Sequence, residues 1–300
     1  MSLFNSIVTS ALPFLPKWFA KPFARPYVAG QTEDDAIDHI RILNGKGFSA
    51  TVDILGEHVI SKKEARNITT QYCSLYDRIA NEALDCNISI KPTHVGLNIS
   101  LTEAISNITT ILKKAKDSGN FLRIDMEDSS FTDQTIEIYS QCKKIYQDVG
   151  MVIQSYLHRS IDDIIFLAND QFNSRICKGI YKESEYIAYQ DKVKIQDNFL
   201  KLAKTMITRN AYPAFATHDQ ELIDRLLDWI TRDKVSKNLF EFQVLYGVPM
   251  NGRLEALLGA GYKVRVYVPY GPEWFDYSVR RLKENPKIIS YVLKNFFRKR

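Results

Sequence analysis

One short stretch of this chain carries an unusual density of groups able to hold a small anion. Lys263-Val-Arg-Val-Tyr-Val268 is a β-branched run, Pro269-Tyr-Gly-Pro272 is a turn, and the residues after it follow helical spacing. On that helix Tyr277, Arg280, Arg281 and Glu284 recur at i, i+3, i+4 and i+7 and share one face, while Phe275, Val279 and Leu282 fall on the opposite face. Two guanidinium groups side by side suit a carboxylate or phosphate gripped at two oxygens. The alternative is a solvated charged face on which Arg280 and Glu284 form an i,i+4 ion pair.

The elements that would position such a helix alternate along the chain. Short β-branched runs predict strands at Ser49–Leu55, Ile88–Lys91, Phe121–Asp125, Met151–Gln154, Arg175–Cys177, Tyr212–Ala216, Phe240–Leu245 and Val264–Tyr267. Amphipathic stretches between them predict helices at Lys62–Asp85, Leu101–Gly119, Thr132–Asp148, Ser160–Ser174, Asp191–Arg209, Asp219–Asp233 and Asn251–Gly261, with the Arg-Arg helix last. Eight strands, each followed by a helix, specify an α/β fold: a (β/α)8 TIM-type barrel. Residues 1–45 precede it as an N-terminal helical arm containing a short helix at Glu33–Leu43. Residues 46–285 form the barrel and 286–300 a basic helical tail.

In such a barrel chemistry sits at the carboxyl ends of the strands. Polar residues fall there in this sequence: Lys91 after strand two, Asp125 and Glu127 after strand three, and Gln154 at the end of strand four. Strand five opens with Arg175 and leaves through Lys178-Gly179, strand six leaves through Thr217-His218, and strand eight ends at Tyr267. Each alone reads as a strand cap; together they converge on one face.

Composition bounds the rest. A chain of 300 residues with 45% hydrophobic and 12% aromatic residues buries a large core. A net charge of +5, with no lysine-rich stripe, gives no footprint for nucleic acid. Cys73, Cys86, Cys142 and Cys177 are widely spaced, with neither zinc-site nor disulfide-framework spacing, which fits a reducing compartment. No run reaches the roughly 18 apolar residues that span a bilayer. The apolar N-terminus lacks a basic n-region and is interrupted by Pro13 and Pro16, so it does not read as a signal peptide. Gly259-Ala-Gly261 lacks a third glycine and precedes a strand, so no Rossmann dinucleotide site is expected.

Several motifs then occur in one order: Asp53-Ile-Leu-Gly-Glu57, Ile88-Ser-Ile-Lys-Pro92, Ile124-Asp-Met-Glu127, Val152-Ile-Gln-Ser-Tyr156, Arg175-Ile-Cys-Lys-Gly-Ile-Tyr181, Phe215-Ala-Thr-His218 and Phe240-Glu-Phe-Gln-Val-Leu-Tyr-Gly247, followed by the Arg-Arg helix. Over roughly residues 45–285 this series resembles the proline dehydrogenase family, in its monofunctional FAD-dependent type. The resemblance implies oxidation of L-proline to 1-pyrroline-5-carboxylate by hydride transfer to the flavin of FAD. Electrons would pass to an acceptor such as quinone. It implies Asp125 and Arg175 as catalytic residues, and a substrate pocket of Lys91, Tyr181, Leu245, Tyr267, Tyr277, Arg280 and Arg281. Met126, Gln154, Arg175, Lys178, Gly179, Ile180, Thr217, His218 and Glu284 would contact FAD. No metal is expected. Lys182 stands where the fused proline-utilisation enzymes carry a tryptophan, and Gln190 near where they carry a threonine.

Three rival readings remain at this point. Lys91 as a Schiff-base nucleophile would make the barrel a lyase. A barrel that only binds a carboxylate would not turn over. Within the family, 4-hydroxyproline or another cyclic imino acid would replace proline. The expected location is the cytoplasm. The apolar N-terminal segment with Lys17, Lys21 and Arg25, together with the basic tail, offers peripheral contact with the inner face of an anionic membrane.

Overall fold

The computed structural model describes residues 27–275 and 277–278. The strands are β1 (Ser49–Ile54), β2 (Cys86–Ile90), β3 (Leu122–Ile124), β4 (Val149–Gln154), β5 (Asn173–Cys177), β6 (Tyr212–Ala216), β7 (Glu241–Leu245) and β8 (Val264–Tyr270). All neighbours pair in parallel, and β8 pairs with β1 to close the barrel in the order β1 to β8. The helices are α1 (Glu33–Gly45), α2 (Lys62–Asn81), α3 (Leu101–Asp117), α4 (Thr132–Ile145), α5 (Ser160–Leu167), α6 (Lys192–Thr208), α7 (Gln220–Arg232) and α8 (Arg253–Gly259). The eight-strand barrel expected from the sequence is present.

Local chemistry sets the helix starts. Ser61, Ser100, Asp191 and Asp219 accept backbone N–H groups at the starts of α2, α3, α6 and α7, and Thr32 with Asp35 makes a capping box on α1. Several boundaries shift by a few residues from the sequence reading, and the largest change lies before β5. The helix expected over Ser160–Ser174 ends at Leu167, because the Asn169 side chain accepts the Gln171 N–H at 2.9 Å and turns the chain. Strand five consequently starts at Asn173, so Arg175 sits mid-strand, where the sequence had it opening the strand. Helix α1 packs against β8 and β1 by Ala36, Ile37 and Ile40.

The outward faces of the strands hold the apolar core. Phe215, Phe240 and Phe242 meet at centroid distances of 5.2–5.9 Å, with Trp229 of α7 at 6.4 Å from Phe215. Burying each such ring contributes about 1.5–3 kcal/mol, with up to about 1.5 kcal/mol more per well-oriented pair. The inward faces are polar. Toward the amino ends of the strands, Arg265 pairs with Glu241 at 2.9 Å and donates to Asn87 at 3.1 Å, and Arg123 donates to the carbonyls of Met151 and Asn173.

That guanidinium passes over Gly150. A Cβ on Gly150 would lie 2.5 Å from Arg123 Nη1 and 2.7 Å from Phe121 Cζ, and would press on the Asn173 carbonyl. Gly150→Ala is therefore expected to destabilise the fold by roughly 1–3 kcal/mol, through overpacking against backbone that cannot yield. Urea denaturation checks this: an unchanged midpoint would mean that the barrel floor has slack.

At the other end, one carboxylate ties three loops together. Glu127 accepts the Thr93 N–H at 2.9 Å and the Thr93 hydroxyl at 2.5 Å, and the same hydroxyl accepts the His58 N–H at 3.0 Å. The Glu127 carbonyl accepts Gln154 Nε2 at 3.2 Å. Burial raises the Glu127 carboxyl from 4.5 to about 7, against the pull of the Thr93 donors and Lys91. A carboxyl raised on folding binds its proton more tightly in the folded state. Its contribution is fully present below pH 4.5 and fades as pH rises through about 7. Glu127→Gln should flatten that part of the stability profile, measured as Tm across pH 5–8. A mutant whose profile parallels the wild type would exclude Glu127 as the titrating group.

Candidate active site

The carboxyl ends of β1, β2, β3, β5 and β8 deliver six side chains that touch across the barrel. Asp125 follows β3; one of its oxygens accepts the Ser89 hydroxyl at 2.5 Å and a close charge-assisted bond from Arg175, and the other accepts the Tyr267 hydroxyl at 3.0 Å. Arg175 also donates to Ser89 at 3.1 Å, and its guanidinium lies 4.9 Å from the centre of the Tyr267 ring. Only inward-pointing side chains on β2, β5 and β8 can meet this way. Lys91 Nζ donates to Asp53 Oδ2 at 2.5 Å and lies 4.0 Å from Asp125 Oδ2. Two carboxylates thus face two cations, with a phenol and a hydroxyl completing the lattice.

Burial in the barrel mouth would by itself lower the Lys91 ammonium, but Asp53 and Asp125 outweigh it and raise its pKa. Arg175 follows the same pattern: burial lowers it, Asp125 together with Tyr267, Cys177 and Asp53 more than compensates, and it stays charged. Burial raises the Tyr267 phenol well above its ordinary range, and the nearby carboxylates add to that. Tyr267 is therefore a neutral donor, and Lys91 a fixed positive charge. A Schiff-base nucleophile must present a neutral amine; this environment opposes one, which removes the ground for the lyase reading.

Other candidate residues lie at the carboxyl ends of β4, β5 and β6. Gln154 is buried and donates through Nε2 to the carbonyls of Met126 and Glu127, while its Oε1 has no hydrogen-bond partner. Gly179 sits at φ +103°, and a Cβ there would fall inside the Tyr156 ring. The backbone at Gly179 therefore packs directly against the Tyr156 ring, and Ile180 is exposed. Lys178 pairs with Asp219 at 3.1 Å, and the Thr217 hydroxyl accepts the Asp219 N–H at 3.1 Å. His218 Nε2 accepts the Leu245 N–H at 2.8 Å, which puts the ring proton on Nδ1 in the neutral form. Tyr277 lies within electrostatic reach of Tyr27. Arg280, Arg281 and Glu284 lie outside the described residues.

The structure thus joins Lys91, Asp125, Arg175 and Tyr267 in one network and places Gln154 beside it through Met126. Asp53, Ser89 and Tyr72, whose hydroxyl donates to Asp53 Oδ1 at 3.3 Å, were not among the site residues expected from the sequence. The alternation Ser89-Ile90-Lys91 and Thr51-Val52-Asp53 carries the signal for two of them, since inward positions on a parallel strand recur at every second residue. Tyr72 has no such signal: on α2 it reads as one more core aromatic.

Comparison with known proteins agrees with this geometry. The family profile described as proline dehydrogenase matches residues 36–293. Proline dehydrogenase 1 of Bacillus subtilis subsp. natto is 38% identical over 286 residues, covering 94% of each chain. The proline dehydrogenase of Deinococcus radiodurans is 31% identical over 280 residues, covering 92% of this chain and 90% of that one. Among solved structures, proline utilization A from Bdellovibrio bacteriovorus, inactivated by N-propargylglycine, superposes with a TM-score of 0.82. It is 25% identical, over 90% of this chain and 33% of that one. With family profile, full-length relatives and barrel architecture in agreement, the chain belongs to the proline dehydrogenase family, whose reaction, the oxidation of proline to 1-pyrroline-5-carboxylate, it carries out.

Proposed function

We propose that the chain performs this oxidation with FAD, which the family generally uses, held against the Gln154–Lys178 arc, and with the substrate carboxylate held by Lys91, Arg280 and Arg281. The observation that carries the reading is the buried lattice of Asp53, Lys91, Asp125, Arg175 and Tyr267 at the barrel mouth. A second domain-level proposal follows the sequence: residues 1–45 act as an arm, 46–285 as the catalytic barrel and 286–300 as a basic tail.

The residues present fit FAD. Gln154 offers a buried acceptor, Oε1, with no protein partner, as a ring N–H would require. Gly179, packed against Tyr156 where a side chain has no room, and the cation Lys178 stand at the same strand exit. Met126, Ile180, Thr217, His218 and Glu284 would complete the contacts. When bound, the flavin would supply the two-electron acceptor that no side chain provides. Lys91 would hold one substrate carboxylate oxygen, and Arg280 and Arg281, on the segment beyond the described residues, would grip the carboxylate from the other side. Tyr181, Leu245, Tyr267 and Tyr277 would wall in the ring, so that the carbon beside the amine is the one presented for oxidation. Asp125 would keep Arg175 and Tyr267 in place. Because Lys91 is held protonated, it does not take the proton that the amine must lose. Electrons would then pass to a membrane quinone or another acceptor. Among the described residues no helix is long and apolar enough to cross a membrane. Peripheral contact with a bilayer, through the apolar N-terminal segment and the basic tail, is part of the same proposal.

The direct test is the purified protein's visible spectrum, followed without oxygen as L-proline is added. Flavin absorbance that bleaches with proline, and a yellow supernatant after acid precipitation, are expected. A preparation that stays colourless after incubation with FAD would sink the cofactor assignment, and colour held in the acid pellet would mean covalent attachment.

The hydroxylated ring is the second substrate to weigh. Tyr267 is pinned from both sides, by its hydroxyl on Asp125 and by Arg175 over its ring. It cannot move aside for an extra oxygen, and Leu245 offers that oxygen no hydrogen bond. A buried unpaired hydroxyl costs about 1–3 kcal/mol, a discrimination of roughly 5- to 150-fold. L-Proline should therefore exceed trans-4-hydroxy-L-proline in kcat/KM by at least about tenfold. Tyr267→Ser should narrow the gap, mainly by slowing proline, since it also strips Asp125 of a donor. Anaerobic flavin reduction by each amino acid, wild type beside mutant, measures this. Equal wild-type efficiencies would show that Tyr267 does not gate the pocket.

A further inference from the structure

We propose that Asp53 and Tyr72 form a positioning pair that sets where the Lys91 charge stands in the mouth, and that substrate affinity depends on a helix outside the barrel wall. The inference rests on the reading that Lys91 holds the substrate carboxylate. Asp53 is fully buried at the end of β1, with Lys91 Nζ at 2.5 Å on one oxygen and the Tyr72 hydroxyl at 3.3 Å on the other. Tyr72 belongs to α2, is itself fully buried, and packs edge-on to His94 with ring centroids 6.2 Å apart.

A lysine ammonium on a four-carbon stem has no preferred direction of its own. It carries three donors, and among the described residues the bond to Asp53 is the hydrogen bond that Nζ makes. That one bond fixes the ammonium and leaves its other N–H groups for a ligand. Asp125, 4.0 Å away, flanks the far side without taking a hydrogen bond. The direction of the Asp53 carboxylate therefore decides the direction of Lys91. Asp53 can turn about its own side-chain bonds; the Tyr72 hydroxyl on its second oxygen, with the Tyr267 hydroxyl also within hydrogen-bonding reach, limits that freedom. Among the described residues the Tyr72 hydroxyl hydrogen-bonds to Asp53, and the role proposed for it runs through that bond.

Removing the hydroxyl with Tyr72→Phe keeps the ring and its packing. The expected result for the FAD-loaded enzyme is a KM for proline raised about 3- to 10-fold, with kcat changed less than about twofold. The inhibition constant of cyclopentanecarboxylate, which carries the carboxylate on a five-membered ring without the amine, should rise in parallel. Asp53→Asn should raise both constants further, and Lys91→Met should raise both at least as much. In the Lys91→Met background, Tyr72→Phe should add nothing. A merely structural role would instead lower the amount of folded holoenzyme and reduce kcat without this split. If Lys91→Met raises KM but Tyr72→Phe leaves KM and the inhibition constant within about twofold of wild type, the positioning role is overturned. If Lys91→Met itself leaves both unchanged, the carboxylate reading falls and the inference falls with it. Should Asp53→Asn fail to fold, the Tyr72→Phe and double-variant measurements decide alone.

Discussion

The ion pair between Arg175 and Asp125 is the constraint around which the rest is arranged. It joins β5 to the end of β3 across a barrel whose strands pair only with their immediate neighbours in the sheet. Two charges taken out of water at this depth are stable only while each satisfies the other; removing one partner of a buried pair typically costs about 3–5 kcal/mol. Every neighbour of the pair has a role set by that cost. Ser89 donates to Asp125 and accepts from Arg175, and Tyr267 satisfies the other Asp125 oxygen while its ring covers the guanidinium. Asp53 does for Lys91 what Asp125 does for Arg175.

A barrel of this class usually fills its interior with layers of branched apolar side chains. Here much of the interior is given to Asn87, Arg123, Glu241, Gln243 and Arg265 below, and to the charged lattice of the mouth above, so stability must come from elsewhere. It comes from the outer faces: Phe215, Phe240 and Phe242 under α7, and the apolar sides of α2 and α3 with Leu75, Ile79, Ile108, Ile111 and Leu112 buried. One side of each strand stabilises and the other binds. That division leaves the interior free to hold groups chosen for charge and position, at a depth where water screens them little.

The division also explains what could be read without the fold. Eight β-branched runs were legible because outward faces are apolar whatever the inner faces do. Lys91, Asp125, Gln154, Arg175 and Tyr267 stood out as polar residues in apolar runs. Asp53 and Ser89 have the same alternation yet look like a strand cap and a neutral spacer; their importance lies in partners 36 to 38 residues away. Tyr72 was invisible for a better reason. On the apolar face of an amphipathic helix, a tyrosine whose hydroxyl finds a carboxylate has the same pattern as one that merely fills space. The shorter α5 was missed because Asn169 ends it through a side-chain turn, which hydrophobic spacing does not register.

The charges of the mouth bear on what the enzyme can admit. Lys91 faces Asp53, Arg175 faces Asp125, and Lys178 faces Asp219, so each of these cations already has its counter-charge. A lattice balanced in this way is stable while empty, but it offers an arriving anion little unmatched positive charge. On the reading proposed above, the attraction must come from the Arg280–Arg281 pair, with Lys91 contributing its remaining N–H donors as a geometric hold. The two tasks then separate physically. The arginines would draw a carboxylate in, over distances set by ionic screening. The lattice would fix which way the ring faces once it arrives, because Asp53 and Asp125 leave Lys91 and Tyr267 no other positions to take.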